Sequence, residues 1–214
     1  MTFSNMNRLF LASDIGTTFP LALREFDIDP LLTPTVYIPT AGNCDTPPRT
    51  VQERGSYQCL LAAHINPLVI KLEEETVYTL PQKLASIKLV VVGGGNSFFL
   101  LHHMQRTQFG GFLKSFFDRG GIYVGSSAGS CVCTRDIDYV KDYDDPHLAP
   151  DLSSTAGLDL VDVQIYPHCI EDRYAEGYSD VNIRKMLTNS AKKIILRDHQ
   201  ALVVKDEMYK IVES

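Results

Sequence analysis

Gly121-Ile-Tyr-Val-Gly125-Ser126-Ser127-Ala128-Gly129-Ser130 runs a short apolar strand directly into a G-x-S-x-G pentapeptide centred on Ser127. A tight strand-to-helix turn forces its central residue into strained dihedrals and lifts the hydroxyl out at the carboxyl end of a sheet. Small neighbours are then required, and Gly125, Ala128 and Gly129 meet that need. The start of the following helix would favour developing negative charge, with the Ala128 amide as one oxyanion donor. A Gly/Ser-rich turn cradling a phosphate is the competing reading of the same residues.

Upstream, Val92-Gly93-Gly94-Gly95-Asn96-Ser97 joins another strand to another helix. Its amides would face the same sheet edge and could complete an oxyanion hole. It is not G-x-G-x-x-G, because residue 98 is Phe, and no acidic residue stands about 20 residues further on in a βαβ context, so a dinucleotide site is disfavoured.

Short apolar runs at residues 8–12, 35–39, 68–72, 88–92 and 122–124 read as strands. Runs such as Leu89-Val90-Val91-Val92, apolar at successive positions, suit a parallel sheet covered on both faces. Helices are expected at 50–65, 97–105 and 112–119, the last stopping at Gly120-Gly121. The pattern predicts an α/β fold, a doubly wound and mostly parallel sheet flanked by helices, flavodoxin-like in type.

Composition agrees. Of 214 residues, 44% are hydrophobic and 21% charged, enough apolar content for one domain over residues 1–214. Twenty Lys+Arg against 26 Asp+Glu leave a net charge of −6 with scattered basic residues, which argues against a nucleic-acid partner. The N-terminal apolar run, Leu9–Ala12, is too short for a signal peptide or a membrane span, so a cytoplasmic location is expected. Cys44, Cys59 and Cys169 are isolated and Cys131-Val-Cys133 is the one close pair. Reduced thiols therefore fit better than a disulfide framework or a zinc site.

Residues 134–157 crowd Asp136, Asp138, Asp142, Asp144, Asp145 and Asp151 with Pro146 and Pro150, and read as a long loop or lid whose charges are solvated in preference to chelating a metal. Beyond it, 160–166 reads as a strand, 181–187 as a helix, and 193–196, 201–205 and 208–212 as further strands.

A serine nucleophile needs a base. Of His64, His102, His103, His147, His168 and His199, His168 stands apart because it follows the strand ending at Tyr166 and Pro167. Asp198 lies at another strand end and could orient the imidazole, with His199 beside it as a competitor.

These residues together resemble the serine peptidases of the dipeptidase E and cyanophycinase family, whose fold is similar to that of class I glutamine amidotransferases. The resemblance runs through 35–42, 91–98 with Leu100-Leu101, 121–129, 157–160 to Pro167-His168, and Asp198 with Ala201-Leu202. It implies Ser127 as nucleophile, His168 as general base and later acid, and the amides of Gly94 or Gly95 with Ala128 as oxyanion hole. The acidic member is usually Glu in the dipeptidase branch, where this sequence has Asp198. Aspartyl dipeptidases hold the substrate's N-terminal Asp with an Arg in a Thr-Arg-Glu-like stretch. Here the matching residues read Gly177-Tyr-Ser-Asp180-Val-Asn182, which leaves Arg173, five residues after His168, and Asn96 as candidate substrate-binding residues. Glutamine amidotransfer is disfavoured, since those enzymes carry Cys at the elbow and a His-x-Glu pair, against Ser127 and Ile170 here.

The expected activity is hydrolysis of short peptides through an acyl-enzyme on Ser127. The alternatives are hydrolysis of isoaspartyl, cyanophycin-like or other amide or ester bonds by the same triad, or an inactive binding protein on the same fold. A serine triad needs no cofactor and no metal. The expected partner is a small peptide substrate, with neither nucleic acid nor a membrane, and a homodimer is compatible with this reading.

Overall fold

The computed structural model describes residues 7–169 and 190–214. Among these residues nine strands run in chain order as β1 (Arg8–Ala12), β2 (Thr35–Ile38), β3 (Leu68–Val69), β4 (Leu89–Val92), β5 (Ile122–Ser126), β6 (Gln164–Tyr166), β7 (Lys193–Ile195), β8 (Gln200–Lys205) and β9 (Met208–Glu213). Seven form one sheet in the order β3-β2-β4-β5-β1-β8-β9. The first five positions of that order are parallel, and β8 and β9 extend the sheet antiparallel beyond β1. The sheet is thus mostly parallel, as the unbroken apolar runs predict.

Alternate residues of each central strand enter opposite cores. Phe10, Tyr37, Val91 and Val124 pack with Ile15, Phe19 and Ala22 of α1 (Ile15–Glu25) and with Leu60 of α2 (Gly55–Ala62). On the other face Leu9, Leu11, Val36, Val90 and Tyr123 meet α3 (Thr79–Leu84), α4 (Ser97–Arg106) and α5 (Phe109–Asp118) through Leu84, Leu101, Met104, Leu113 and Phe116. Each fully buried Leu, Ile, Val or Phe contributes about 1.5–3 kcal/mol, so two cores on one sheet are the main source of its stability.

The sequence reading did not anticipate α1 and α3. Gly16, two threonines and Pro20 make 15–25 a poor helix by propensity. It forms because Asp14 caps it, accepting the Gly16 N–H at 2.8 Å, and because Ile15, Thr18, Phe19 and Ala22 supply a buried stripe. The helix expected over 50–65 is instead a capped 3-10 turn at Val51–Glu53 followed by the shorter α2.

The segment expected as a long loop or lid with solvated charges, 134–157, is a loop that leaves Asp136, Asp138, Asp145 and Asp151 exposed, as expected, while part of it packs inward. Two short 3-10 turns, Asp138–Asp142 and Pro146–Leu148, bury Ile137 and Val140, and Asp144 is tied to the start of α4. The helix expected at 181–187 and the candidate Arg173 lie outside the described residues.

Strands β6 and β7 are not part of the large sheet but form a two-stranded parallel sheet of their own. Their C-terminal ends lead to His168 and to Asp198, and parallel pairing therefore delivers both residues to one place.

Candidate active site

After β1 the chain leaves toward one face of the large sheet, and after β5 toward the other. The crevice between those two carboxyl ends is where ligands collect in open α/β sheets. Ser127 stands there. Its backbone is held at φ 51° and ψ −111°, a conformation costly for a residue with a side chain. The strain is fixed from several sides: Ser127 N–H donates to Ala12 O at 3.0 Å, Ser130 Oγ to Ala12 O at 2.7 Å, and Ile15 N–H to Ser126 Oγ at 3.2 Å. At Gly125 a β-carbon would lie 2.4 Å from the Gly129 carbonyl oxygen, so the turn demands the small residue the motif supplies. The helix that follows, α6 (Ala128–Cys131), is only one turn long, so the elbow's contribution is its exposed hydroxyl and amide more than a long helix dipole.

Ser127 Oγ lies 2.8 Å from His168 Nε2, and His168 Nδ1 lies 2.5 Å from Asp198 Oδ1. The three residues expected from sequence are thus brought into one relay, with Asp198 and not its neighbour His199 against the imidazole. A fourth member, Ser13 at the end of β1, was not anticipated. It is fully buried, donates to Asp198 Oδ1 at 2.9 Å, accepts the His168 N–H at 2.7 Å, and sits 3.3 Å from His168 Nδ1. Thr17 Oγ1 adds a bond to the Asp198 carbonyl at 2.8 Å. His168 is itself at φ 60°, so its position is imposed by these partners.

Facing Ser127 is the glycine turn after β4. Gly93 N–H is taken by Ile38 O, Asn96 N–H by Ala41 O and Ser97 N–H by Asp144 Oδ2. Among the described residues this leaves the Gly94 and Gly95 amides as the turn's uncommitted donors. Gly94 packs directly on the nucleophile, since a β-carbon there would fall 3.1 Å from Ser127 Cβ. Gly95 adopts φ 141°, and a β-carbon on it would lie 2.2 Å from Ala41 O, so only glycine fits. The Ala128 amide, first in α6, has no intrahelical acceptor. Gly94 and Gly95 thus line the cavity beside Ser127, and Ala128 follows the nucleophile directly in the chain. Asn96 is placed differently from its expected role: it caps α4, accepting Phe99 N–H at 2.8 Å and donating to Asp145 O at 2.9 Å, and it is not among the residues lining the cavity.

That cavity, about 470 Å³, is lined by Ser127, His168, Gly94 and Gly95 together with Tyr139, Tyr143, Tyr166 and Cys131. Burial pushes the Cys131 thiol up to about 12, so it is neutral beside the nucleophile. Asp144 also lines the cavity, and burial raises its carboxyl above the ordinary range despite the Ser97 N–H it accepts. Among the described residues the charged lining comprises Asp14, Asp45 and Asp144 with Arg49 and Arg54.

The family model described as peptidase family S51 matches residues 28–212. An uncharacterized peptidase of Pasteurella multocida is 30% identical over 205 residues, covering 94% of this chain and 95% of its own. A peptidase E of Shewanella putrefaciens is 30% identical over 171 residues, 76% of this chain and 66% of its own. In fold, a crystal structure of a protein assigned as a peptidase E from Listeria monocytogenes superposes with a TM-score of 0.85 at 23% identity, covering 98% of this chain and 99% of that one. Among the described residues no helix is long and apolar enough to cross a membrane.

Proposed function

The chain belongs to peptidase family S51, and from that premise we propose that it is a serine-type exopeptidase of short peptides, working through an acyl-enzyme on Ser127. The observation that carries this reading is the relay of Ser127, His168 and Asp198 beside a cavity lined by glycine amides. Asp198 holds the Nδ1–H of His168, which leaves Nε2 to take the Ser127 hydroxyl proton as Oγ attacks the scissile carbonyl. The carbonyl oxygen becomes an oxyanion, and the amides of Ala128 and of Gly94 or Gly95 receive it. His168 then gives the proton to the leaving amine as the C–N bond breaks. Water, deprotonated by the same nitrogen, attacks the ester and releases the acid with Ser127 restored.

The test is to incubate the wild type and Ser127→Ala with dipeptides differing in their N-terminal residue, isoaspartyl members included, and to follow free amino acid. Hydrolysis by wild type, reduced at least about 1,000-fold in Ser127→Ala with unchanged thermal unfolding, is the expected result. Equal activity of the two proteins, or none from either, would refute the proposal. Preference for an isoaspartyl substrate would keep the triad and change the bond.

A further inference from the structure

We propose that Arg54, with Arg49 and the first turn of α2, forms an anion subsite of this cavity that holds the free carboxylate of the amino acid leaving a cleaved short peptide. The inference rests on the peptidase reading above and names the part of the substrate it grips.

Arg54 is a buried cation, 5% exposed, on the cavity wall. Its Nη2 donates to Gly42 O at 2.7 Å, Asn43 Oδ1 at 3.0 Å and Arg49 O at 3.2 Å, all neutral acceptors that fix the plane of the guanidinium without neutralising it. Its buried Nε has no hydrogen-bond partner among the described residues. Among the described residues the carboxylate within ion-pair distance is Asp45, 3.8 Å from Nη1, and Arg49 already holds that group at 2.6 Å. Among the described residues two guanidinium charges thus share one carboxylate on this wall, and a buried charge left short of a partner is costly to maintain.

The adjoining backbone has the same polarity. Arg54 is the N-cap of α2, and its carbonyl takes the N–H groups of Tyr57 and Gln58. The Gly55 and Ser56 amides, which also line the cavity, therefore have no intrahelical acceptor and lie at the positive end of the helix dipole. A β-carbon built on Gly55 meets nothing within 4 Å, so the start of α2 is open beside the cavity. Of the other described cavity acids, Asp14 accepts Gly16 N–H at the start of α1 and Asp144 accepts Ser97 N–H at the start of α4.

The subsite adjoins the reacting centre. A β-carbon on Gly42 would fall 1.7 Å from Arg54 Nη1 and 3.2 Å from the Gly94 carbonyl oxygen, and Gly94 packs on Ser127. A planar guanidinium beside free amides matches a carboxylate. The terminal carboxylate is the anion every short peptide carries whatever its side chains, and gripping it next to the nucleophile would select for short substrates.

Calorimetric binding to the Ser127→Ala protein tests this without turnover, comparing each dipeptide with its C-terminal amide and with a matched dipeptide bearing an acidic side chain. Amidation is expected to weaken binding roughly 10- to 100-fold, the range for a lost charge-assisted contact. Adding Arg54→Gln should shrink that ratio to below about threefold, and Arg49→Gln should shrink it partly. The acid-to-amide ratio of the protein with Arg54 intact stands even if Arg54→Gln disturbs the Gly42–Arg49 loop. Equal binding of acid and amide, a preference that follows the acidic side chain instead, a ratio unchanged in a folded Arg54→Gln, or no binding at all would overturn the proposal. Absence of peptide hydrolysis by wild type would instead sink the peptidase reading, and the binding ratio would still decide the subsite.

Discussion

The Ser13 hydroxyl accepts the main-chain N–H of His168 at 2.7 Å while donating, at 2.9 Å, to the Asp198 carboxylate on which that imidazole rests. One buried oxygen therefore sets both the height of the base and the direction of its acid. Ser13→Ala removes a donor and leaves a buried N–H without its acceptor, at a cost of about 1–3 kcal/mol. Steady-state kinetics should show kcat lowered about 10-fold or more with KM little changed, and the pH–rate profile displaced. A wild-type profile in the variant would deny Ser13 any part in positioning His168.

Cys131 lies in the same cavity as Ser127, yet burial holds its thiol near 12. Thiolate is the reactive form, so iodoacetamide at about pH 7 should leave activity intact, whereas a serine-directed phosphonate should abolish it and label Ser127. Mass spectrometry of the labelled peptide reads the outcome, and inactivation by the thiol reagent would count against the assignment.

Gly95→Ala places a β-carbon 2.2 Å from Ala41 O at φ 141°. The turn must move, and with it an oxyanion donor. A fall in kcat of about 100-fold or more is expected, the loss typical of one such donor, accompanied by a lower Tm. Retention of full kcat would remove this turn from the oxyanion hole.

Burial raises the Asp144 carboxyl, so this group binds its proton more tightly folded than unfolded. Its contribution to stability is complete at low pH and is lost as pH rises through the folded value. Asn can still accept the Ser97 N–H, so Asp144→Asn is expected to raise Tm at about pH 7 and to have little effect near pH 3. Thermal scans across that range decide it. A Tm that falls at neutral pH would mean the carboxylate's charge is itself stabilising.

Much of this was legible in the chain. Val90, Val91 and Val92, apolar without alternation, suit a sheet covered on both faces, and the small residues around Ser127 suit a sharp elbow, though the same residues also fitted a phosphate-cradling turn. His168 and Asp198 were placed by their position after strands. What escaped was whatever depends on tertiary partners: α1 folds against its own propensity because Phe19 and Ala22 are buried, and Ser13 is an ordinary serine until β1 sets it beside two residues more than 150 positions away. Asp144 and Arg54 gave no signal either, since nothing in an acidic stretch singles out the aspartate that meets Ser97, and an arginine before a helix does not announce that it is buried.

The base and acid ride on the two-stranded β6–β7 ladder, while the nucleophile belongs to the large sheet; the two are joined through Ser13 and through Cys131 and Tyr139 touching Ile165. Catalytic competence is consequently a long-range property, closed across sequence separations of 41, 155 and 185 residues. Such contacts form late when a chain folds. On dilution from denaturant, secondary structure should return first and hydrolysis last, so regained turnover would serve as a stricter gauge of complete renaturation than circular dichroism.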